Sequence, residues 1–244
     1  MSRSRIYPSG HPAPLLRLAK VVAGTAWALG SLRGPRQGRS CLHLWAARTL
    51  AALGVEVTLQ GEVPAGAQLW LSNHLSWLDP LVYLSLRPSQ VLAKSEVAGY
   101  PGIGAGAVRA GLRFVNRENL FNRAGALRRM TADLRAGEDL LLFPEGTTTR
   151  GLSLAPLQEG GLRVAHRLGV RTLSFRLDCV DAHYPWVGDD SLLPHLKTMA
   201  RSRRTRITVR PGRILDPRDC PDEEHWVRLI RNQLEPAFEV AHAV

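Results

Sequence analysis

Gln68-Leu69-Trp70-Leu71-Ser72-Asn73-His74-Leu75-Ser76-Trp77-Leu78-Asp79-Pro80 is the stretch that decides the fold. Its first half is a short apolar run that reads as a buried strand leading straight into Asn73 and His74. Pro80 marks a helix start, because proline is favoured at the first helical position, and Leu81 to Leu86 continue as helix. A histidine and a carboxylate stand five residues apart where strand gives way to helix. At about 100° per residue their side chains would point about 140° apart on one straight helix. They converge only if His74 lies on the turn before the helix and Asp79 in its first turn. A carboxylate so placed fixes the imidazole tautomer, and the imidazole can then take a proton from a nucleophile. An Asp-Pro step is also common simply as a helix N-cap.

Working outward, strand and helix patterns alternate. Val55 to Leu59, Gln90 to Ala93, Leu112 to Val115, Leu140 to Phe143, Val170 to Leu177 and Arg206 to Arg210 read as strands. Gly102 to Ala110 reads as a small-residue helix, Asn122 to Arg135 as a helix stopped by Gly137, and Gly160 to Leu168 as one closed by Gly169. Asp222 to Val240 is a C-terminal helix interrupted near Pro236. The alternation predicts an α/β fold, a mostly parallel central sheet flanked by helices. Ligands sit at the carboxyl ends of such strands, and both His74 and the loop after Phe143 fall there.

Before Val55 the texture differs. Leu15, Leu18, Val22, Ala26 and Leu29 recur at helical spacing, as do Leu42, Trp45, Ala46, Thr49, Leu50 and Leu53, with Gly34-Pro35 between. The expected organisation is an N-terminal amphipathic two-helix appendage over residues 1–54 and a main domain over 55–244. The pair suits a membrane interface or packing on the domain's own core. A true membrane span is not expected, since Leu15 to Leu32 carries Arg17 and Lys20.

The 244-residue chain has a formal charge of +11, which favours anionic partners. No Asp or Glu precedes Glu56, whereas Arg3, Arg5, Arg17, Lys20, Arg33, Arg36, Arg39 and Arg48 do. A second basic cluster runs through Lys197, Arg201, Arg203, Arg204, Arg206, Arg210 and Arg213. Three scattered cysteines form no CxxC pair, and no signal peptide is evident, so a reducing intracellular setting is expected.

Two further segments carry chemistry. Phe143-Pro144-Glu145-Gly146-Thr147-Thr148-Thr149-Arg150-Gly151 ends a buried strand in a tight turn with a carboxylate and three hydroxyls. Gly111-Leu112-Arg113-Phe114-Val115-Asn116-Arg117 is a strand ending in arginine, whose planar fork matches a phosphate. Each alone is compatible with an ordinary turn or a surface salt bridge.

Taken in order, the three segments resemble the glycerolipid acyltransferase family, whose bacterial members include the 1-acylglycerol-3-phosphate acyltransferases. Its NHxxxxD block is similar to Asn73-His74 through Asp79. Its GxxFxxR block is similar to Gly111, Phe114 and Arg117, with Lys94 and Pro101-Gly102-Ile103-Gly104 upstream. Its FPEGT block is similar to Phe143 through Gly151, followed by Leu157-Gln158-Glu159-Gly160-Gly161-Leu162. The likeness covers about residues 65–180. Many phosphatidic-acid-forming members carry arginine after FPEGT where this chain has Thr148, and the family's Val-Pro-Val-like strand is Val170-Arg171-Thr172-Leu173 here, without the proline.

The resemblance implies direct transfer of a fatty acyl group from an acyl thioester to a lysolipid hydroxyl, with His74 as general base and Asp79 holding its ring. The donor is acyl carrier protein or coenzyme A thioester, and no metal or other cofactor is implied. Asn73, Lys94, Phe114, Arg117, Glu145, Gly146, Thr147 and Arg150 become substrate-binding candidates. Backbone N–H groups near the helix starts or the Glu145-Gly146-Thr147 turn are the expected oxyanion donors. The first acceptor implied is 1-acylglycerol-3-phosphate; a lyso-ornithine lipid is the alternative that Thr148 keeps open. The expected location is peripheral, on the cytoplasmic face of the inner membrane, drawn to an anionic lipid surface. Nucleic acid is not an expected partner, because no RNP, helix-turn-helix or zinc pattern accompanies the charge. Gly151-Leu152-Ser153-Leu154-Ala155 lacks the final glycine of a nucleophile elbow, and no strand leads directly into the glycines of 102–106 as a dinucleotide fingerprint requires.

Overall fold

The computed structural model describes residues 13–31, 35–87, 90–94, 113–115, 120–188 and 190–235. Among the described residues, seven strands form one sheet in the order β1-β7-β6-β2-β5-β3-β4. They are β1 (Val55–Leu59), β2 (Leu69–Ser72), β3 (Gln90–Lys94), β4 (Arg113–Val115), β5 (Leu140–Leu142), β6 (Thr172–Cys179) and β7 (Thr205–Leu215). Only β6 and β7 run antiparallel; every other neighbouring pair is parallel. This is the mostly parallel α/β sheet that the alternation of elements predicts.

The helices are α1 (Pro14–Ser31), α2 (Pro35–Leu53), α3 (Asp79–Leu86), α4 (Leu120–Arg135), α5 (Gly160–Arg167), α6 (Leu192–Arg201) and α7 (Glu223–Leu234). They cover both faces. Trp70 of β2 joins α2, α3 and Phe175 in one apolar cluster. Leu69 and Leu71 point the other way, towards Met130 and Leu134 of α4, Leu162 of α5 and Trp226 and Ile230 of α7. The period-two alternation of a strand thus appears in β2 although every position is buried.

Several boundaries move for local reasons. Val170 and Arg171 precede β6 rather than opening it, because Val170 N–H donates to Ala165 O at 2.9 Å and Gly169 N–H to His166 O at 2.9 Å. Gly169 has φ +67°, so α5 ends in a two-bond glycine cap. β7 outruns the expected 206–210: it continues through Pro211-Gly212 while a register shift opposite Leu173 and Phe175 absorbs the irregularity. Helix α6 was not anticipated. The C-terminal helix begins beyond Asp222, whose side chain accepts His225 N–H at 2.8 Å, and its described part ends at Leu234. The expected helix over 102–110 lies outside the described residues.

The N-terminal pair packs on the main domain. Ala46, Leu50 and Leu53 of α2 are fully buried in the same cluster as Trp70. Arg17, one of the basic residues that precede Glu56, is 2% exposed. Its guanidinium donates to the carbonyls of Leu53 (3.2 Å), Ala200 (3.5 Å), Ser202 (2.5 Å) and Arg203 (3.1 Å). A planar fork with five donors suits a nest of carbonyl groups left at chain turns. The other arc of α1 is exposed and almost wholly apolar: Leu15, Leu16, Val22, Ala23, Ala26 and Trp27, with Lys20 among them. Among the described residues no helix is long and apolar enough to cross a membrane. In the second basic cluster, Arg204 pairs with Glu56, Arg206 with Asp181 at 3.6 Å and Arg210 with Asp178 at 2.9 Å.

Candidate active site

β2 delivers the site. It lies between β6 and β5, with Leu71 opposite Ser174 and Leu142. Beyond Ser72 the chain is held by side chains instead of strand pairing. Asn73 donates to Leu177 O at 2.9 Å and accepts Leu177 N–H at 2.7 Å. Its amide therefore extends the β2–β6 pairing by one step at the base of the loop. Ser72 Oγ shares a 2.6 Å hydrogen bond with Tyr83 OH.

His74 follows, gripped on every side. Its backbone N–H donates to Glu145 Oε1 at 2.8 Å and its carbonyl accepts Thr149 N–H at 2.8 Å. Its ring stacks on Phe143, with centroids 4.2 Å apart and planes at 24°. Nδ1 lies 2.8 Å from Asp79 Oδ2.

Asp79 is the first residue of α3, with Pro80 in the first turn, and no side chain caps that helix. Asp79 is thus no N-cap. Its carboxylate turns back over the loop, where Oδ2 accepts Leu75 N–H at 2.6 Å and Ser76 N–H at 2.9 Å. Its Oδ1 accepts the Tyr184 hydroxyl at 2.5 Å. Asp79 is completely buried while the His74 side chain keeps 16% of its surface open. A buried carboxylate surrounded by donors is an acceptor, so the Nδ1 beside it carries the proton. In a neutral ring so oriented, Nε2 is the nitrogen able to receive a proton.

The FPEGT segment supports this loop. Glu145 is 4% exposed, and its second oxygen accepts Ala155 N–H at 2.8 Å. Burial pushes its carboxyl up, against the N–H donors of Ala155 and His74 that favour the ion. Each oxygen accepts a backbone N–H, so Glu145 braces His74. Gly146 has φ +71° and its N–H closes the turn onto Phe143 O at 3.1 Å. Thr147 and Arg150 are exposed and Thr148 is half-buried. The N–H groups of Leu75, Ser76, Gly146 and Thr149 are all engaged within the protein, so of the Glu145-Gly146-Thr147 turn the Gly146 N–H is already committed.

Lys94 and Phe114 belong to strands of the same sheet. β5 pairs parallel with β3, and β3 with β4. Lys94 is the last residue of β3 and stands opposite Val115, while Phe114 is opposite Ala93. Arg117 lies outside the described residues. Ser153 occupies an exposed bend with no strand before it, which rules out a nucleophile elbow there. Burial pushes the Cys179 thiol up to about 12, so it is no ready thiolate.

Two contributors carry no sequence signal. Tyr184 and Trp186 sit on the segment between β6 and α6; Trp186 N–H donates to Leu75 O at 2.8 Å. Both contacts span more than a hundred positions from a loop without periodicity.

A family model described as acyltransferase matches residues 54–177. The chain is 36% identical over 220 residues to a lyso-ornithine lipid O-acyltransferase of Pseudomonas aeruginosa, covering 83% of this chain and 84% of that one. It is 29% identical over 175 residues to a 1-acyl-sn-glycerol-3-phosphate acyltransferase of Neisseria gonorrhoeae, covering 68% and 69%. Its fold is similar to the crystal structure of the 1-acyl-sn-glycerophosphate acyltransferase from Thermotoga maritima, with a TM-score of 0.63, 18% identity and coverage of 91% and 92%.

Proposed function

The chain belongs to the acyltransferase family, and on that premise we propose that it moves a fatty acyl group from an acyl thioester to the hydroxyl of a lysolipid. The observation that carries this reading is the 2.8 Å contact between His74 Nδ1 and Asp79 Oδ2, which orients Nε2 as a base. Nε2 takes the proton of the acceptor hydroxyl as its oxygen attacks the thioester carbonyl. The tetrahedral oxyanion collapses, the C–S bond breaks, and the leaving thiolate takes the proton back from His74. Asp79, ionised beside the ring, offsets the charge on the imidazolium between these steps. We assign the oxyanion to Thr147 and Thr148, because the N–H of Gly146 before them is engaged.

For the acceptor, the Pseudomonas relative and Thr148 together support a lyso-ornithine lipid, whose headgroup carries a carboxylate and an ammonium in place of a phosphate. The second reading is 1-acylglycerol-3-phosphate, supported by the Neisseria relative and by Arg117 and Arg150 as phosphate partners. Acyl carrier protein and coenzyme A thioesters both fit the donor role. A mass-spectrometric panel of lysolipid acceptors with each thioester separates these cases. His74→Ala abolishes every transfer; full activity in that variant overturns the reading.

We place the protein at the cytoplasmic membrane surface, held by the exposed apolar arc of α1, where Leu15 is 81% and Val22 68% exposed, with Lys20 and Arg48 towards anionic headgroups. Deleting residues 1–53 is a poor test, since it strips Leu50 and Leu53 from the core. Leu15→Glu with Val22→Glu leaves the core intact and moves the protein from the membrane to the soluble fraction.

A further inference from the structure

We propose that Tyr184 is a positioning residue for acyl transfer: by donating its hydroxyl to Oδ1 of Asp79, it locks the carboxylate that orients His74. The proposal rests on the acyl-transfer reading above. It concerns a residue beyond the segment matched by the family model, which ends at residue 177.

The two oxygens of Asp79 are unequally held. Three N–H donors converge on Oδ2: Leu75, Ser76 and the ring of His74. Oδ1 receives Tyr184 OH at 2.5 Å. A carboxylate in a fully buried site needs both oxygens satisfied. A partial rotation about its last bond would swing Oδ2 off the His74 ring; the phenol on Oδ1 opposes that rotation. Tyr184 is itself fixed. It is 0% exposed, its N–H donates to Asp181 O at 2.9 Å, and two residues on Trp186 N–H donates to Leu75 O at 2.8 Å. Asp181 in turn accepts Arg206 N–H of β7 at 2.7 Å. The segment therefore clamps the His74 loop through Asp79 and Leu75.

The hydroxyl remains protonated, as a donor must. Burial and the neighbouring Asp79 push the Tyr184 phenol well above its usual value. The other titratable groups facing the pair are Cys179 and Tyr83, both held neutral chiefly by burial, and Glu145, whose carboxyl is pushed up. A donor to Oδ1 disperses the negative charge that faces His74. Removing it leaves more of that charge facing the imidazolium formed during transfer.

Tyr184→Phe keeps the ring and removes the donor. The expected result is a fall in kcat of about tenfold, unchanged KM for acceptor and donor, and an acid limb of the pH–rate profile moved up by about half a pH unit. Site-specific 3-fluorotyrosine at position 184 retains both shape and hydroxyl, and so keeps the fold, but donates more strongly; its acid limb moves down. In an Asp79→Asn background the loss from Tyr184→Phe shrinks, because the effect runs through that carboxylate. An unmoved acid limb in the fluorinated variant, or an equal loss in both backgrounds, overturns the proposal. If His74→Ala is inactive while these shifts are absent, Tyr184's role alone fails; if His74→Ala keeps full activity, the acyl-transfer reading fails with it.

Discussion

Glu145 Oε1 accepts the backbone N–H of His74 at 2.8 Å, across 71 positions of sequence. With its other oxygen on Ala155 N–H, one carboxylate ties the end of β5, the loop after β2 and the stretch before α5. Glu145→Gln keeps the size but turns an amide N–H2 towards one of those two N–H donors. The expected cost is about 1–3 kcal/mol of stability, with a kcat loss above about tenfold and acceptor KM unchanged. Thermal denaturation and steady-state kinetics check this. A raised acceptor KM with unchanged kcat would instead make Glu145 a headgroup ligand.

What was legible in the sequence follows from the range of each interaction. The strands were readable because each is a short apolar run bounded by turn residues, and the site's place followed from where those runs end. His74 and Asp79 were readable because only five positions separate them. For Asn73 and Glu145 the residue types stood out, but their partners are backbone groups of Leu177, Ala155 and His74, which no side-chain pattern displays. Arg17 is illegible for the same reason: a basic residue on an apolar helix gives no sign of burial until the carbonyls of Ser202 and Arg203 are brought to it. Tyr184 meets Asp79 across 105 positions from an irregular segment, and nothing local announces that. β7 ran past Pro211-Gly212, a pair that ordinarily ends a strand, because a register shift against β6 absorbs it.

Arg17 fastens α1 to the loop after α6. Lys at this position offers one ammonium with three donors, which does not span carbonyls served by two nitrogens of a planar fork. Arg17→Lys is therefore expected to lower Tm by roughly 3–10 °C, the equivalent of about 1–3 kcal/mol in a chain this long. Limited proteolysis then cuts first within α1. A wild-type Tm in Arg17→Lys would show that packing, not the guanidinium, holds the helix.

Trp77 and His195 link the site loop to α6. Trp77 Nε1–H donates to His195 Nδ1 at 2.9 Å, which requires that nitrogen to be unprotonated. Burial holds the His195 imidazole below its usual value, opposed by Tyr184 and His183 backbone groups and by Asp190, with the His183 ring adding to the lowering. The folded chain thus binds this proton less readily than the unfolded chain. The resulting stabilisation is in full above the ordinary histidine value of about 6.5 and is lost as pH falls through the lowered folded value. Between about pH 7.5 and 5.5, Tm of the wild type should fall more steeply than Tm of His195→Asn. Parallel curves would remove His195 from the acid response.

Gly151 is confined twice over. Its φ is +75°, and a Cβ there would lie 2.8 Å from Leu75 Cδ2. Leu75 is buried and has little room to yield; its N–H holds Asp79 and its carbonyl accepts Trp186 N–H. Gly151→Ala would press on the residue that joins His74 to the carboxylate's cradle. The left-handed backbone alone costs about 1–2 kcal/mol for alanine, and the clash adds a displacement of the catalytic pair. The expected outcome is a lowered Tm and a kcat loss above about tenfold. Adding Leu75→Val makes space without relieving the backbone. Partial recovery of kcat with Tm still low would assign the activity loss to the Leu75 contact. Wild-type kcat in Gly151→Ala alone would show that the His74–Asp79 geometry does not depend on this turn.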